Sequence, residues 1–168
     1  LTKPLALTAV SAIGAPAHSA MVTGTVAGGL LIWSSRNVQL SIDNVHSSAV
    51  TSLSYSPSHS TLCTGSADGV VKLFKISPHL TVTETVSIDV RATGSTFLSA
   101  NPSVSSCALS PCGSRVLIGT RGNEVFEVSS VATPPEDGAE EGSDLPFPQI
   151  GSVMNGGPLT LGHLPGAT

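Results

Sequence analysis

Three copies of one short pattern constrain this chain more than any other feature in it. Pro16-Ala17-His18-Ser19-Ala20-Met21-Val22-Thr23-Gly24 aligns without a gap on Pro57-Ser58-His59-Ser60-Thr61-Leu62-Cys63-Thr64-Gly65, 41 residues further on, with Pro, His, Ser, Thr and Gly coinciding. Pro111-Cys112-Gly113-Ser114-Arg115-Val116-Leu117-Ile118-Gly119 repeats the Pro, Ser and Gly after another 54 residues. Nine residues beyond each glycine stands a large apolar side chain, Trp33, Phe74 or Val128. A recurring unit of about 40 residues is one supersecondary structure that cannot bury its apolar face alone, so copies must stack on one another.

The middle copy shows what the unit is. From Val45 to Ile76, apolar and polar residues alternate and are broken by a Ser-Pro turn and by Asp68-Gly69. Alternation of period two is the mark of half-buried strands. Asp-Gly between two apolar runs marks a hairpin, because glycine accepts the positive φ such a turn needs. Charged residues are only 11% of the 168, while there are 17 Gly and 12 Pro, which suits many short strands and turns rather than helices. A unit of this length with four strands matches a β-propeller blade. The expectation is an all-β chain: an incomplete propeller segment of about three four-stranded blades.

The copies divide the chain. Residues 1–45 form the first blade, with strands near Ala6–Ser11, Met21–Thr25, Leu30–Trp33 and Gln39–Ile42. Residues 46–102 form the second, with Thr81–Ile88 as its fourth strand and a connecting loop, Arg91–Pro102, that supplies most of the longer spacing. Residues 103–168 hold the third, with strands Val104–Leu109, Arg115–Gly119 and Glu124–Val128. There Arg121-Gly122-Asn123 takes the turn that is Ala67-Asp68-Gly69 in the second. The acidic, Pro/Gly-rich stretch 132–148 reads as an insert before an outer strand at Gln149–Met154, and Leu159–His163 as the opening of a further blade. Three blades do not close a ring of four to eight, and the chain starts at Leu1 rather than Met. It therefore reads as part of a longer chain, with further blades of that chain as neighbours.

Bulk chemistry narrows the function. A net charge of −4 provides no basic footprint for nucleic acid or an anionic membrane. The longest apolar runs, such as Gly29–Trp33, are far short of a membrane span. Cys63, Cys107 and Cys112 have no metal-type spacing and suit a reducing compartment. His18 and His59 fill the same place in two copies of a turn, and His46 and His163 sit where blades begin. No metal, cofactor or catalytic residue is assigned. There is no nucleophile elbow or phosphate loop, Gly28-Gly29 and Gly156-Gly157 precede no helix, and Asp68 reads as a turn residue rather than a catalytic carboxylate.

The run from His46 through Ser56-Pro57, Gly65-Ser66-Ala67-Asp68-Gly69 to Phe74 resembles a WD40 repeat. The resemblance implies a hydrogen-bond network joining His46, Thr51, Asp68 and the closing residue, Phe74, which lacks the N–H of the usual tryptophan. The first copy keeps Trp33 but has Ala27 at the Asp position, and the third has Gly122 and Val128. With the network so incomplete, the blades are expected to rest mainly on apolar packing, closed by Trp33, Phe74 and Val128.

Three further phrases resemble the echinoderm microtubule-associated protein-like (EML) family. They are Val22-Thr23-Gly24-Thr25 with Leu31-Ile32-Trp33 and Arg36-Asn37, then Leu117-Ile118-Gly119-Thr120-Arg121 with Glu124 and Glu127-Val128, and Leu161-Gly162-His163. That resemblance implies a non-enzymatic scaffold in the cytoplasm and on the cytoskeleton, with protein partners that include tubulin or microtubules. The acidic stretch Glu136–Asp144, read as a solvated linker, would repel a microtubule's acidic surface, so contact would fall to another face. A generic WD40 adaptor in another complex is the alternative. An enzyme subunit would need acids or histidines converging on one rim, which the sequence does not supply.

Overall fold

Among the described residues the alternating stretches form eleven strands, all paired antiparallel, in three successive sheets. The computed structural model describes residues 6–14, 20–93 and 101–129. Sheet one is a four-stranded meander of β1 (Leu7–Ile13), β2 (Ala20–Thr25), β3 (Leu30–Ser34) and β4 (Asn37–Ile42). Sheet two repeats it with β5 (Val50–Ser56), β6 (Thr61–Ser66), β7 (Val70–Ile76) and β8 (Val82–Asp89). Sheet three carries β9 (Val104–Leu109), β10 (Arg115–Thr120) and β11 (Val125–Ser129) among the described residues. The insert 132–148, the outer strand expected at Gln149–Met154, the blade opening at Leu159–His163, Gly156-Gly157 and His18 lie outside the described residues.

The hairpin turns repeat as closely as the sequence does. In each sheet the turn between the second and third strands closes with an N–H···O bond, from Gly28 to Thr25, from Gly69 to Ser66 and from Asn123 to Thr120. Each donor has positive φ, at 86°, 84° and 67°. Glycine takes that conformation without a Cβ penalty, and asparagine is among the few side chains that tolerate it. This is why Asn123, not Gly122, replaces Gly69 in function.

Successive side chains on a strand point to opposite faces, and the middle sheet buries both. Val22, Leu30 and Ile32 of sheet one meet Val50, Leu62 and Phe74 of sheet two in one apolar layer. On the opposite face of sheet two, Cys63, Val71 and Leu73 meet Val104, Val116, Ile118, Phe126 and Val128 of sheet three in a second layer. Each fully buried aliphatic side chain here contributes about 1.5–3 kcal/mol.

The sheets interlock at two glycines. A β-carbon on Gly24 would lie 2.5 Å from Val50 Cβ, and one on Gly65 would lie 2.6 Å from Val104 Cγ1. Both valines are fully buried. Gly24 and Gly65 are the closing glycines of the repeated pattern, so the glycine is kept where the first strand of the next sheet seats its valine. Gly119 occupies the same position in sheet three, beside Leu117 and Val125, which are 50% and 62% exposed. Their counterparts in sheet two, Cys63 and Val71, are both 0% exposed.

Candidate functional site

Among the described residues, a dense polar cluster lies where the chain enters sheet two. His46, in the connection from β4 to β5, points its Nε2 at the Thr64 hydroxyl in the middle of β6, 2.8 Å away. Its Nδ1 lies 3.4 Å from Asp68 Oδ2 in the β6–β7 turn. That contact is electrostatic, because Nδ1 makes no hydrogen bond in the structure and 3.4 Å is long for one. Asp68 Oδ1 accepts from the Val70 N–H at 2.9 Å, and Oδ2 accepts from the Ser47 N–H at 2.9 Å and the Ser47 hydroxyl at 3.2 Å. Ser66 completes the turn: its hydroxyl donates to Ser48 O and accepts from the Asp68 N–H, both at 3.2 Å.

These contacts set the charges. Burial alone would raise the Asp68 pKa, but the N–H donors of Val70 and Ser47, helped by His46 and Ser66, hold it below the usual carboxylate value. Burial lowers the His46 pKa below 6.5, against the opposing pull of Asp68. The stable pair is thus a carboxylate beside a neutral imidazole. A lone pair on Nδ1 would face the carboxylate, so the tautomer carries Nδ1–H toward Asp68 and lets Nε2 accept from Thr64.

A His–Asp pair invites a general-base reading, but a base must reach a substrate proton. The His46 side chain is 0% exposed, and both ring nitrogens face protein groups. The cluster clamps the start of sheet two onto its own β6–β7 turn.

The structure brings together His46 and Asp68 of the sequence-expected set and places Thr51 elsewhere. In β5, Val50 pairs with Ser66 and Ser52 with Gly65, so Thr51 is the extra residue of a β-bulge. Its hydroxyl turns to Gly65 O at 3.1 Å and, across the sheet interface, to Val104 O at 2.6 Å. The strand hydroxyl that meets His46 is Thr64, and the repeat itself carried the signal, since Thr64 aligns with Thr23. Trp33 Nε1 donates to Thr23 Oγ1 at 2.9 Å. Sheet one therefore holds the threonine–tryptophan half of the network, and sheet two holds the aspartate–histidine–threonine half. Phe74 is buried against sheet one and has no N–H to offer. Val128 is buried against sheet two, whereas Trp33 is only half buried. Leu30 and Ile32 take the β3 face that sheet two covers, leaving Trp33 on the opposite one.

Sequence reasoning missed the serine ladder between sheets two and three. Ser52 Oγ accepts from the Cys107 N–H at 2.9 Å, and Ser54 Oγ accepts from the Leu109 N–H at 3.2 Å. The spacing of Ser52 and Ser54, two apart on one strand face, was the available signal. With Thr51 reaching Val104 and Thr8 reaching Val50 O, adjacent sheets are joined by hydrogen bonds as well as by apolar packing. Between sheets one and two opens a cleft of about 350 Å³ lined by Ile13, Ala20, Tyr55, Ile76 and Leu80 among others. Among the described residues of that lining, Tyr55 is the one with a titratable side chain.

Four-stranded meanders that seat a valine on the preceding glycine, with a buried His–Thr–Asp clamp, decide the fold. It is that of WD40 β-propeller blades. Residues 37–75, which contain the whole clamp, match the WD40 family, described as WD domain, G-beta repeat. The WD40 repeats of RRP9 are similar, with a TM-score of 0.60 at 15% identity over 77% of this chain and 37% of that one. U3-55K gives a TM-score of 0.60 at 14% identity over 77% and 38%. The Cps50 (Swd1) β-propeller domain of Myceliophteria thermophila gives 0.59 at 18% identity over 76% and 36%. The chain covers less than two fifths of each of these WD40 structures. No curated protein matches it.

Proposed function

We propose that this chain is a non-enzymatic interaction scaffold, a run of WD40 blades that joins further blades of a longer chain and presents its rims to protein partners. The observation that carries this reading is the clamp itself. His46 is buried, and Asp68 beside it is taken up by the Val70 and Ser47 N–H groups in holding the β6–β7 turn. The case for further blades rests on sheet three. Leu117 and Val125 stay exposed at positions that sheet two buries beneath its neighbour, and an apolar sheet face of this kind suits another sheet.

The finer reading is a microtubule-associated, EML-like protein of the cytoplasm and cytoskeleton. It is supported by the phrases around Thr23–Trp33 and Ile118–Val128. A general WD40 adaptor in another complex is the competing reading, and it is favoured by the match at 37–75 to the WD40 family alone. Sedimentation of the full-length protein with polymerised tubulin separates the two. Saturable recovery in the pellet supports the microtubule reading, and a protein left in the supernatant at all tubulin concentrations eliminates it.

A further inference from the structure

The first strand of every sheet carries the same irregularity. In β1, Leu7 pairs with Thr25 and Ala9 with Gly24, which leaves Thr8 as an extra residue. In β5 the extra residue is Thr51. In β9 it is Ser105, between Val104 opposite Thr120 and Ser106 opposite Gly119. All three carry a hydroxyl. A bulge takes the extra side chain out of the regular alternation, and in two of the three sheets that hydroxyl crosses to the next sheet. Thr8 donates to Val50 O and Thr51 to Val104 O. Both acceptors are carbonyls of the valines that seat on Gly24 and Gly65.

Ser105 repeats half of this arrangement. Its hydroxyl donates to Gly119 O at 3.0 Å, as the Thr51 hydroxyl reaches Gly65 O at 3.1 Å. The residue after it matches as well. Ser52 Oγ accepts the N–H of Cys107, three residues beyond Val104, and Ser106 is the counterpart of Ser52. Thr51 and Ser52 are half buried, whereas Ser105 and Ser106 are exposed. Ser106 Oγ stands 2.6 Å from where a β-carbon on Gly119 would lie. It thus occupies the space that Val50 and Val104 take over Gly24 and Gly65. At the other end of this face Arg115 and Glu127 form an ion pair where sheet two has Thr61 and Leu73. The apolar part of the face is therefore confined to Leu117 and Val125, at the Gly119 end.

We propose that this face binds an extended strand through the strand's own backbone, Ser105 donating to the carbonyl of an aliphatic residue and Ser106 accepting the N–H three residues further on. The occupant is the first strand of a further sheet of the longer chain. That assignment rests on the scaffold function proposed for the chain, and continuity with the two interfaces already formed supports it. As the strand docks, the Ser106 hydroxyl leaves the space over Gly119 and the aliphatic side chain enters it. Because recognition is by backbone atoms, the strand's sequence is constrained mainly at that aliphatic position. Opposite Arg115 and Glu127 the incoming sheet presents polar groups, since a covered ion pair must keep hydrogen-bond partners.

The test reads the cover at residue 117. Leu117→Cys in the full-length protein is treated with a maleimide under folding conditions, and each labelled residue is located by peptide mass spectrometry. The new thiol should react slowly in the folded protein and fully after unfolding. Ser105→Ala and Ser106→Ala should each speed its labelling about threefold to tenfold, the effect of losing one hydrogen bond. Ser105→Thr, which supplies the residue that stands at the bulges of sheets one and two, should leave it slow. Labelling of Cys63, buried between sheets two and three, should not change, which separates lost docking from a loosened fold. A slow thiol that neither alanine variant speeds would overturn recognition by the two hydroxyls while leaving a covering sheet in place. Cys63 labelling that rises in step with the new thiol would overturn it too. A new thiol as reactive folded as unfolded would overturn the cover, and with it the case for a further sheet. If Leu117→Cys does not fold, Val125→Cys carries the same measurement.

Discussion

Replacing Gly24 by alanine tests how the blades are held together. The new methyl would stand 2.5 Å from both Cβ and Cγ1 of Val50, where carbon–carbon contact is comfortable at about 3.5–4.0 Å. Rotating Val50 about χ1 cannot relieve this, because Cβ itself is in contact. Sheets one and two must part locally, at a cost of about 1–3 kcal/mol for overpacking. Gly24 does not have positive φ, so alanine also stiffens the unfolded chain, which offsets about 0.4–1 kcal/mol. Taking the middle of each range, the net expectation is a loss of about 1.3 kcal/mol, a sizeable share of a typical 5–15. Val50→Ala alone forfeits about 1.6 kcal/mol of transfer free energy, at about 0.8 for each lost methylene equivalent, plus a cavity contribution. In the double variant the alanine methyl fills the space that Val50 vacates. Its loss should fall short of the sum of the singles by about 1 kcal/mol or more. Urea denaturation of the full chain, followed by the fluorescence of Trp33, the single tryptophan, measures all three. A Gly24→Ala protein as stable as wild type, or strictly additive losses, would refute the interlock.

Thr64→Val should destabilise by about 1–3 kcal/mol because it strands His46 Nε2, while Thr51→Val should cost about 1 kcal/mol for its carbonyl contacts; chemical denaturation gives the order. The His46 pKa is lower in the folded state. Its neutral form therefore contributes stability that is complete above pH 6.5 and is lost as pH falls through the folded value. His46→Gln should flatten that part of the stability–pH curve, while the loss below pH 3.8 from the lowered Asp68 carboxyl persists wherever the Asp68 turn bonds survive. Trp33→Phe should cost about 1 kcal/mol by removing the N–H that Thr23 accepts, read by thermal unfolding in circular dichroism.

The strands were legible because their alternation is local, and the blades because the pattern recurs at a spacing that only a stacked unit explains. The site was legible in part. His46, Asp68 and Thr51 all come from the WD40 resemblance, which puts the strand hydroxyl five residues after the histidine, at Thr51. A bulge adds one residue and turns that side chain to the other face, a shift that local residue types do not reveal. Thr64 was readable by alignment with Thr23, but its role needs the Trp33–Thr23 bond to be seen. The half-exposure of Trp33 depends on which face of β3 meets sheet two, and strand periodicity does not say which face that is. The serine ladder required the neighbouring sheet, since Ser52 and Ser54 acquire meaning only against the backbone of β9.

An experimental density map of the full-length protein tests the blade account most directly. It should show Val50 seated on Gly24, Val104 seated on Gly65, and a further sheet covering Leu117 and Val125. Leu117 and Val125 facing open solvent in that map, or covered by a helix, would contradict it.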